Sequence, residues 1–148
     1  MIPLIENRKA RKDYAILETV EAGIVLSGME VKALRGKRAN ISDAFVRVLS
    51  GEAFLVNARI EQLSTIAHVT YEPTSSRKLL LKRRQIQELE EKLHTRGLTA
   101  VPLMIGTSKN FIKVLVGIGK GKKTYERKEE LKQRDLKREE SKILRNKR

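Results

Sequence analysis

The stretch Thr99-Ala100-Val101-Pro102-Leu103-Met104-Ile105, taken with Ile112-Lys113-Val114-Leu115-Val116-Gly117-Ile118, decides the fold. Thr99, Val101, Leu103 and Ile105 alternate with the other face, as do Ile112, Val114, Val116 and Ile118, which is the period of β-strands. Pro102 has no N–H to give to a ladder and suits an edge position. Upstream, Phe45 to Leu49 and Ala53 to Val56 flank Ser50-Gly51-Glu52, a hairpin signal, and Ala58 to Leu63 is expected to extend that sheet. Tyr14 to Leu26 also reads as a strand, interrupted at Gly23, where a bulge is expected. Helices fall between these strands. Ser27-Gly28-Met29-Glu30 fits a capping box, with Val31 and Leu34 on one face behind it and Gly36 as its stop. Lys82 to Arg96 places Ile86, Leu89 and Leu93 on one stripe, with Lys92, His94 and Arg96 in the last turn and Gly97 after it. Tyr71 to Ser76 is loop chemistry. Many short strands with a few helices between them point to a mainly β protein, a small closed or partly closed barrel. An OB-like barrel is one such fold and commonly binds oligonucleotides; periodicity alone leaves another α+β arrangement open.

The charge points to a partner. Among 148 residues, 32 are Lys or Arg and 18 are Asp or Glu, a net charge of +14. An excess of that size and sign requires an anionic surface: nucleic acid first, an acidic membrane second. Hydrophobic residues make up 40% of the chain, enough for a core. Cysteine is absent, which removes disulfides, thiolate metal sites and cysteine nucleophiles. No apolar run approaches the ~20 residues that span a bilayer. Met1-Ile2-Pro3-Leu4-Ile5-Glu6 lacks the basic and apolar regions of a secretory signal, so a cytoplasmic location is expected.

A break in composition at Gly119 divides the chain into a barrel, residues 1–118, and a basic C-terminal tail, residues 119–148. The tail holds 13 Lys or Arg against 6 Asp or Glu, half of the excess charge. Its few aliphatics are chiefly Leu131, Leu136, Ile143 and Leu144, too little apolar area to offset chain entropy. Glu130 with Arg134, Asp135 with Arg138 and Glu139 with Lys142 are spaced as helical pairs. A segment of this kind is expected to be disordered when free and helical on an anionic surface.

Catalytic readings fare poorly. His68 and His94 are the only histidines, and neither has a metal-ligand spacing. Gly117 to Thr124 invites comparison with a phosphate loop, but Val116 stands where the first glycine belongs and Lys123 where Ser or Thr belongs. No nucleophile elbow is present, so no enzyme, metal or cofactor is expected. The basic clusters carry more weight: Arg8, Lys9, Arg11 and Lys12 beside Tyr14; Arg77-Lys78 and Lys82-Arg83-Arg84 around three leucines; and Lys120, Lys122 and Lys123 on a glycine backbone expected to mould to phosphates. Aromatic residues are only 4% of the chain, which favours shape and backbone recognition of structured RNA over broad base stacking. On these residues alone the chain reads as a binder of folded RNA, and a ribosomal or ribosome-assembly protein, also a basic barrel with a tail, fits that reading.

Taken in order, Asn7-Arg8-Lys9-Ala10-Arg11-Lys12-Asp13-Tyr14, Glu21-Ala22-Gly23-Ile24, Gly28-Met29-Glu30-Val31-Lys32, Leu34-Arg35, Ala39-Asn40-Ile41-Ser42-Asp43-Ala44, Gly51-Glu52-Ala53-Phe54-Leu55, Arg77-Lys78-Leu79-Leu80-Leu81 and Gly119-Lys120-Gly121-Lys122-Lys123 resemble the SmpB family of SsrA-binding proteins. The resemblance spans nearly the whole chain. It implies an OB-like barrel and an adaptor of trans-translation that binds the tRNA-like domain of tmRNA. With elongation factor Tu, reached through aminoacylated tmRNA, such an adaptor delivers tmRNA to stalled 70S ribosomes. By position, Asn7, Arg8, Lys9, Glu21, Lys32 and Asn40 match residues that face tmRNA. Lys120, Lys122, Lys123, Tyr125, Arg127 and Lys128 match tail residues at the decoding centre, against small-subunit rRNA. Ile143 and Leu144 match an apolar pair needed for accommodation in the empty mRNA channel. No cofactor is implied, and a monomer is expected. The chain departs from the family's pattern at Glu126-Arg127-Lys128, at Ser75 and in the order Gly36-Lys37.

Overall fold

A computed structural model describes residues 1–62 and 70–122. The expectations for Leu63, His68 and every residue from Lys123 onward, the helical pairs of the tail included, lie outside the described residues. The alternating stretches form two long antiparallel neighbours, β8 (Thr99–Ser108) and β9 (Phe111–Gly121). Before them come β1 (Ile2–Glu6), α1 (Arg8–Asp13), β2 (Tyr14–Ile24), α2 (Gly28–Arg35), β3 (Ala39–Asn40), β4 (Phe45–Leu49), β5 (Glu52–Val56), β6 (Arg59–Ile60), β7 (Arg77–Leu80) and α3 (Arg83–His94). Seven strands make one sheet in the order β1-β8-β9-β2-β7-β5-β4. The sheet curls until β4 lies against the start of β8, while β1 pairs with the later half of β8, from Met104 to Thr107. The result is a mainly β, barrel-like body with flanking helices. No helix among the described residues is long and apolar enough to cross a membrane.

The core follows the alternation. Val46 and Val48 of β4, Ala53 and Leu55 of β5, Leu79 of β7 and Val114, Val116 and Ile118 of β9 point inward. The β4–β5 hairpin turns on Ser50 and Gly51, both at positive φ (52° and 77°), as a two-residue primed turn requires. The Ser27–Glu30 capping box is present in both directions: Ser27 Oγ accepts from the Glu30 N–H, and Glu30 Oε1 accepts from the Ser27 N–H. On α2, Leu34 is buried and Val31 is half-buried. On α3, Leu89 is buried, with Ile86 and Leu93 packed on the core. Gly97 takes the left-handed conformation just beyond that helix (φ 63°).

α2 stops at Gly36, its C-cap, as the sequence reading expects, and Lys37 behind it is left-handed (φ 58°). Four details differ from the sequence reading. The β2 bulge lies between Ile16 and Glu18 rather than at Gly23. Arg59 and Ile60 do not extend the main sheet; they pair with Ala39 and Asn40 in a separate two-stranded ladder. A register shift between Pro102 and Met104 breaks the alternation of β8, so Val101 and Leu103 pack in an outer cluster with Ala10 while Ile105 enters the main core. Pro102 sits in an interior strand, and it is tolerated beyond Met104, where the β1 ladder ends.

Of the stretch from Gly119 to Lys123, expected to mould to phosphates, the part through Gly121 is strand and not a pliable loop. It belongs to β9, and Gly119 is a close-approach position: a Cβ there would lie 2.0 Å from the Ala15 carbonyl oxygen. The composition break at Gly119 falls inside this strand, which continues to Gly121 opposite Tyr14.

A candidate nucleic-acid interface

One cationic surface is built on α1. Six residues, RKARKD, carry four cations and a single apolar side chain, too few to hold a helix alone. Two contacts supply the rest. Asn7 Oδ1 accepts from the Ala10 N–H at 3.0 Å, capping the first turn. Ala10 in turn packs on Val101 and Leu103 outside the barrel. Arg8, Lys9, Arg11 and Lys12 are exposed, with Arg11 and Lys12 in the last turn, where the helix dipole favours them. Lys9 Nζ sits 2.9 Å from Asp43 Oδ1, and that hydrogen bond raises its pKa.

Asn7 itself does not face a ligand. It is 1% exposed, and its amide donates to the carbonyls of Ile41 (2.9 Å) and Pro102 (2.8 Å). All its polar atoms are engaged internally, so it positions α1 against the 40–44 loop and β8. No side-chain polar atom of Asn7 is left facing solvent in this structure. Asn40 is exposed, with its Oδ1 accepting from the Ser42 N–H at 2.8 Å, and it shapes the same loop. The far end of β9 adds two more cations to this surface. Register places Lys120 opposite Ala15 and Gly121 opposite Tyr14, so the exposed Lys120 and Lys122 emerge beside the end of α1.

Glu21 lies elsewhere. It is seven residues along β2 from Tyr14, roughly 23 Å at the rise of a strand. There an open groove is lined by Glu21, Gly23, Lys78, Leu80, Lys82 and Lys113. Gly23 pairs with Lys113 on one side and Leu80 on the other, so these three residues form one row across β9, β2 and β7. Lys78 also makes an exposed pair with Glu52 (3.2 Å). Arg83 and Arg84 extend the positive charge into the first turn of α3, which holds no acidic residue. Sequence reading missed Lys113, although the alternation that packs Ile112 and Val114 on the core turns it outward. Lys32 is exposed on α2 and belongs to neither cluster.

Arg77, read from sequence as part of a phosphate-binding run, is not available to phosphate. It is 3% exposed and bonded to Glu30 through Nε (2.9 Å) and Nη2 (2.8 Å). It also donates to the carbonyls of Ala58 and Pro73 and to the Tyr71 hydroxyl. The Tyr71 hydroxyl donates to the Ile60 carbonyl at 2.8 Å. Burial pushes the Glu30 carboxyl up, but the Ser27 N–H and the Arg77 guanidinium outweigh it and hold the group below the usual carboxylate range. Burial likewise pushes the Tyr71 phenol up. This network fastens α2 to the loop before β7 and leaves Lys78 as the solvent-facing cation of the pair. Lys123, Tyr125, Arg127, Lys128, Ile143 and Leu144 lie outside the described residues.

Chains similar to this one have been named. An SsrA-binding protein of Halalkalibacterium halodurans is 46% identical over 144 residues, covering 97% of this chain and 94% of the relative. The SsrA-binding protein of Sulfurovum sp. (strain NBC37-1) is 49% identical over 143 residues, covering 95% and 94%. A chain from a solved structure described as "tmRNA-SmpB: a journey to the center of the bacterial ribosome" superposes with a TM-score of 0.66 at 42% identity, covering 79% of this chain and 82% of that one. The family model described as SmpB protein matches residues 4–146, which takes in every block of the sequence resemblance and both cationic surfaces. With a match from the first strand almost to the end of the tail, the chain belongs to the SmpB family.

Proposed function

We propose that this protein is an adaptor of trans-translation that binds the tRNA-like domain of tmRNA and carries it to stalled ribosomes. The observation that carries this reading is the separation of two cationic surfaces along one sheet. The α1 surface with Lys120 and Lys122 stands roughly 23 Å from the groove around Glu21. Two surfaces so far apart can hold a large folded RNA at two separate points, while Lys120 and Lys122 lead from the first of them into the basic tail, which is left for a second RNA. The names of the relatives and of the superposed structure agree with that use.

In this reading Arg8, Lys9 and the groove cations Lys78, Lys82 and Lys113 hold phosphates, while Glu21 and Asn40 accept from ribose hydroxyls or base amino groups. Lys32 adds a cation on α2, and Asn7 acts through α1. The basic tail, with Lys120, Lys122, Lys123, Tyr125, Arg127 and Lys128, enters the decoding centre, and Ile143 and Leu144 complete accommodation in the vacant mRNA channel. Residues 1–118 then serve as the RNA-binding body and residues 119–148 as the ribosomal arm. The protein acts as a monomer in the bacterial cytoplasm, where ribosomes are, meets elongation factor Tu only through aminoacylated tmRNA, and carries out no catalytic step.

Binding of the full chain to the tRNA-like domain, competed with bulk tRNA and an rRNA fragment at physiological salt, tests this reading. The adaptor reading expects strong preference for the tRNA-like domain. Equal competition by the other RNAs overturns it in favour of a general basic RNA binder.

A further inference from the structure

The pair of Lys9 and Asp43 is built in from both sides. Lys9 precedes the buried Ala10, which packs on Val101 and Leu103. Asp43 precedes the buried Ala44 and follows the buried Ile41, both of them in the main core. The Ile41 carbonyl accepts from the Asn7 amide (2.9 Å) and from the Ala44 N–H (3.2 Å), so the turn that carries Asp43 is held in place. The two charged ends nevertheless stand in water, with side-chain exposures of 52% for Lys9 and 74% for Asp43, and Nζ lies 2.9 Å from Oδ1. Core packing fixes where this pair sits, while solvent keeps it weak enough to open for a ligand.

A carboxylate at this place works against phosphate binding. Arg8, Arg11 and Lys12 are exposed around it, and a negative charge among them repels the backbone that they attract. RNA carries one group that a carboxylate can use: the ribose 2′-hydroxyl, a donor that lies beside the phosphate following it along the strand. A lysine ammonium next to a carboxylate matches that order, with the phosphate oxygen on Lys9 Nζ and the hydroxyl on Asp43 Oδ1. The hollow beside the pair, lined by Asp13, Tyr14, Ser42 and Phe45, leaves room for the sugar. We propose that Lys9 and Asp43 together read one phosphate and its neighbouring 2′-hydroxyl, and that Asp43 turns away strands lacking that hydroxyl. Against DNA, opening the pair leaves Asp43 facing phosphate with no donor in return, so the residue lowers raw affinity and raises selectivity. This inference rests on the RNA-adaptor reading and adds to it a means of rejecting other polyanions.

The test compares wild type, Asp43→Ala and Asp43→Asn at fixed salt on duplexes of one sequence and length: RNA, 2′-O-methyl RNA, which keeps the shape without the hydroxyl donor, and DNA. Wild type is expected to bind RNA more tightly than the other two. Asp43→Ala should strengthen binding to DNA and to 2′-O-methyl RNA, and reduce the preference for RNA about fivefold, the scale of one hydrogen bond. Its slope of log K against log salt on DNA should steepen by about 0.9, because Lys9 is released to one more phosphate. Asp43→Asn keeps an acceptor oxygen without the charge, so it should strengthen binding to every probe and retain more of the preference than Asp43→Ala. The exposed side chain makes both variants safe for the fold, which far-ultraviolet circular dichroism checks. A preference for RNA that changes less than twofold in Asp43→Ala, or identical behaviour of the Ala and Asn variants on every probe, overturns the inference. Because these duplexes carry no tRNA-like domain, poor discrimination of that domain from other folded RNAs by wild type would defeat the adaptor reading and leave this result intact.

Discussion

Replacing Arg77 with Ala should destabilise the body by about 3–5 kcal/mol, the cost of leaving a buried charge without its partner. The structure explains why the figure belongs at that level rather than with surface pairs. Arg77 is 3% exposed and Glu30 is 8% exposed, so solvent does not replace the lost guanidinium. Glu30 keeps the Ser27 N–H, while the one hydrogen of the Tyr71 hydroxyl, 3.3 Å away, goes to the nearer Ile60 carbonyl, and the carbonyls of Ala58 and Pro73 each lose a donor. For a domain of this size, such a loss lowers the Tm by about 10–20 °C. Urea unfolding at pH 7, followed by far-ultraviolet circular dichroism, measures it as a shift in midpoint at constant m-value. Arg77→Lys should recover little, because a lysine ammonium cannot reproduce the paired Nε and Nη2 contacts. A double change of Arg77 and Glu30 to Met should recover part of the loss, since it removes both charges but not the orphaned carbonyls. A cost below about 1 kcal/mol for Arg77→Ala would refute the reasoning and mean that water reaches the pair.

Glu30 titrates in the same network: its folded pKa lies below the ordinary 4.5, so its contribution to stability is fully present above that value. That contribution is lost as pH falls through the lower folded value, and the gap in urea midpoint between wild type and Glu30→Gln should close only under acid. Asn7→Asp places a carboxylate against the Ile41 and Pro102 carbonyls, and should cost about 2–4 kcal/mol in thermal unfolding. A direct RNA contact at Asn7 would instead change affinity and leave the Tm alone. Gly119→Ala should lower the Tm strongly or abolish soluble expression, since its Cβ would meet the Ala15 carbonyl at 2.0 Å; a variant as stable as wild type would contradict the register. Removing residues 123–148 leaves the β9 ladder whole, and should change affinity for the tRNA-like domain less than tenfold while abolishing tagging on stalled ribosomes in a reconstituted translation assay.

Alternation was enough to read the inward face of β9, Ser50-Gly51-Glu52 was enough to place the β4–β5 hairpin, and the S-x-x-E spacing was enough to place α2. These are local signals, complete within a few residues. The misreadings share a different cause. Arg77 looks like any other lysine or arginine in a basic run, because the carboxylate that buries it is 47 residues away in the chain. Asn7 looks like a polar residue beside cations, yet its partners are carbonyls 34 and 95 residues distant. α1 has almost no helical signal of its own and exists because Ala10 finds Val101 and Leu103. Gly119 and Gly121 were legible as glycines but not as strand, and what demands the glycine at 119 is the neighbouring backbone of β2. The bulge in β8 moves Leu103 to the outer cluster, which no period-two count anticipates. For the interface, charge alone found both basic regions. Their separation along β2, and the place of Lys113 in the second, needed the strand register.

The central claim is that one molecule joins two RNAs, and the most direct measurement of it is sedimentation of labelled tRNA-like domain RNA with ribosomes stalled on an mRNA lacking a stop codon. The account predicts that the RNA pellets with the ribosomes only when the full-length protein is present, and stays in the supernatant when residues 123–148 are removed. RNA that pellets equally with or without the protein, or that stays in the supernatant despite saturating protein, would contradict it.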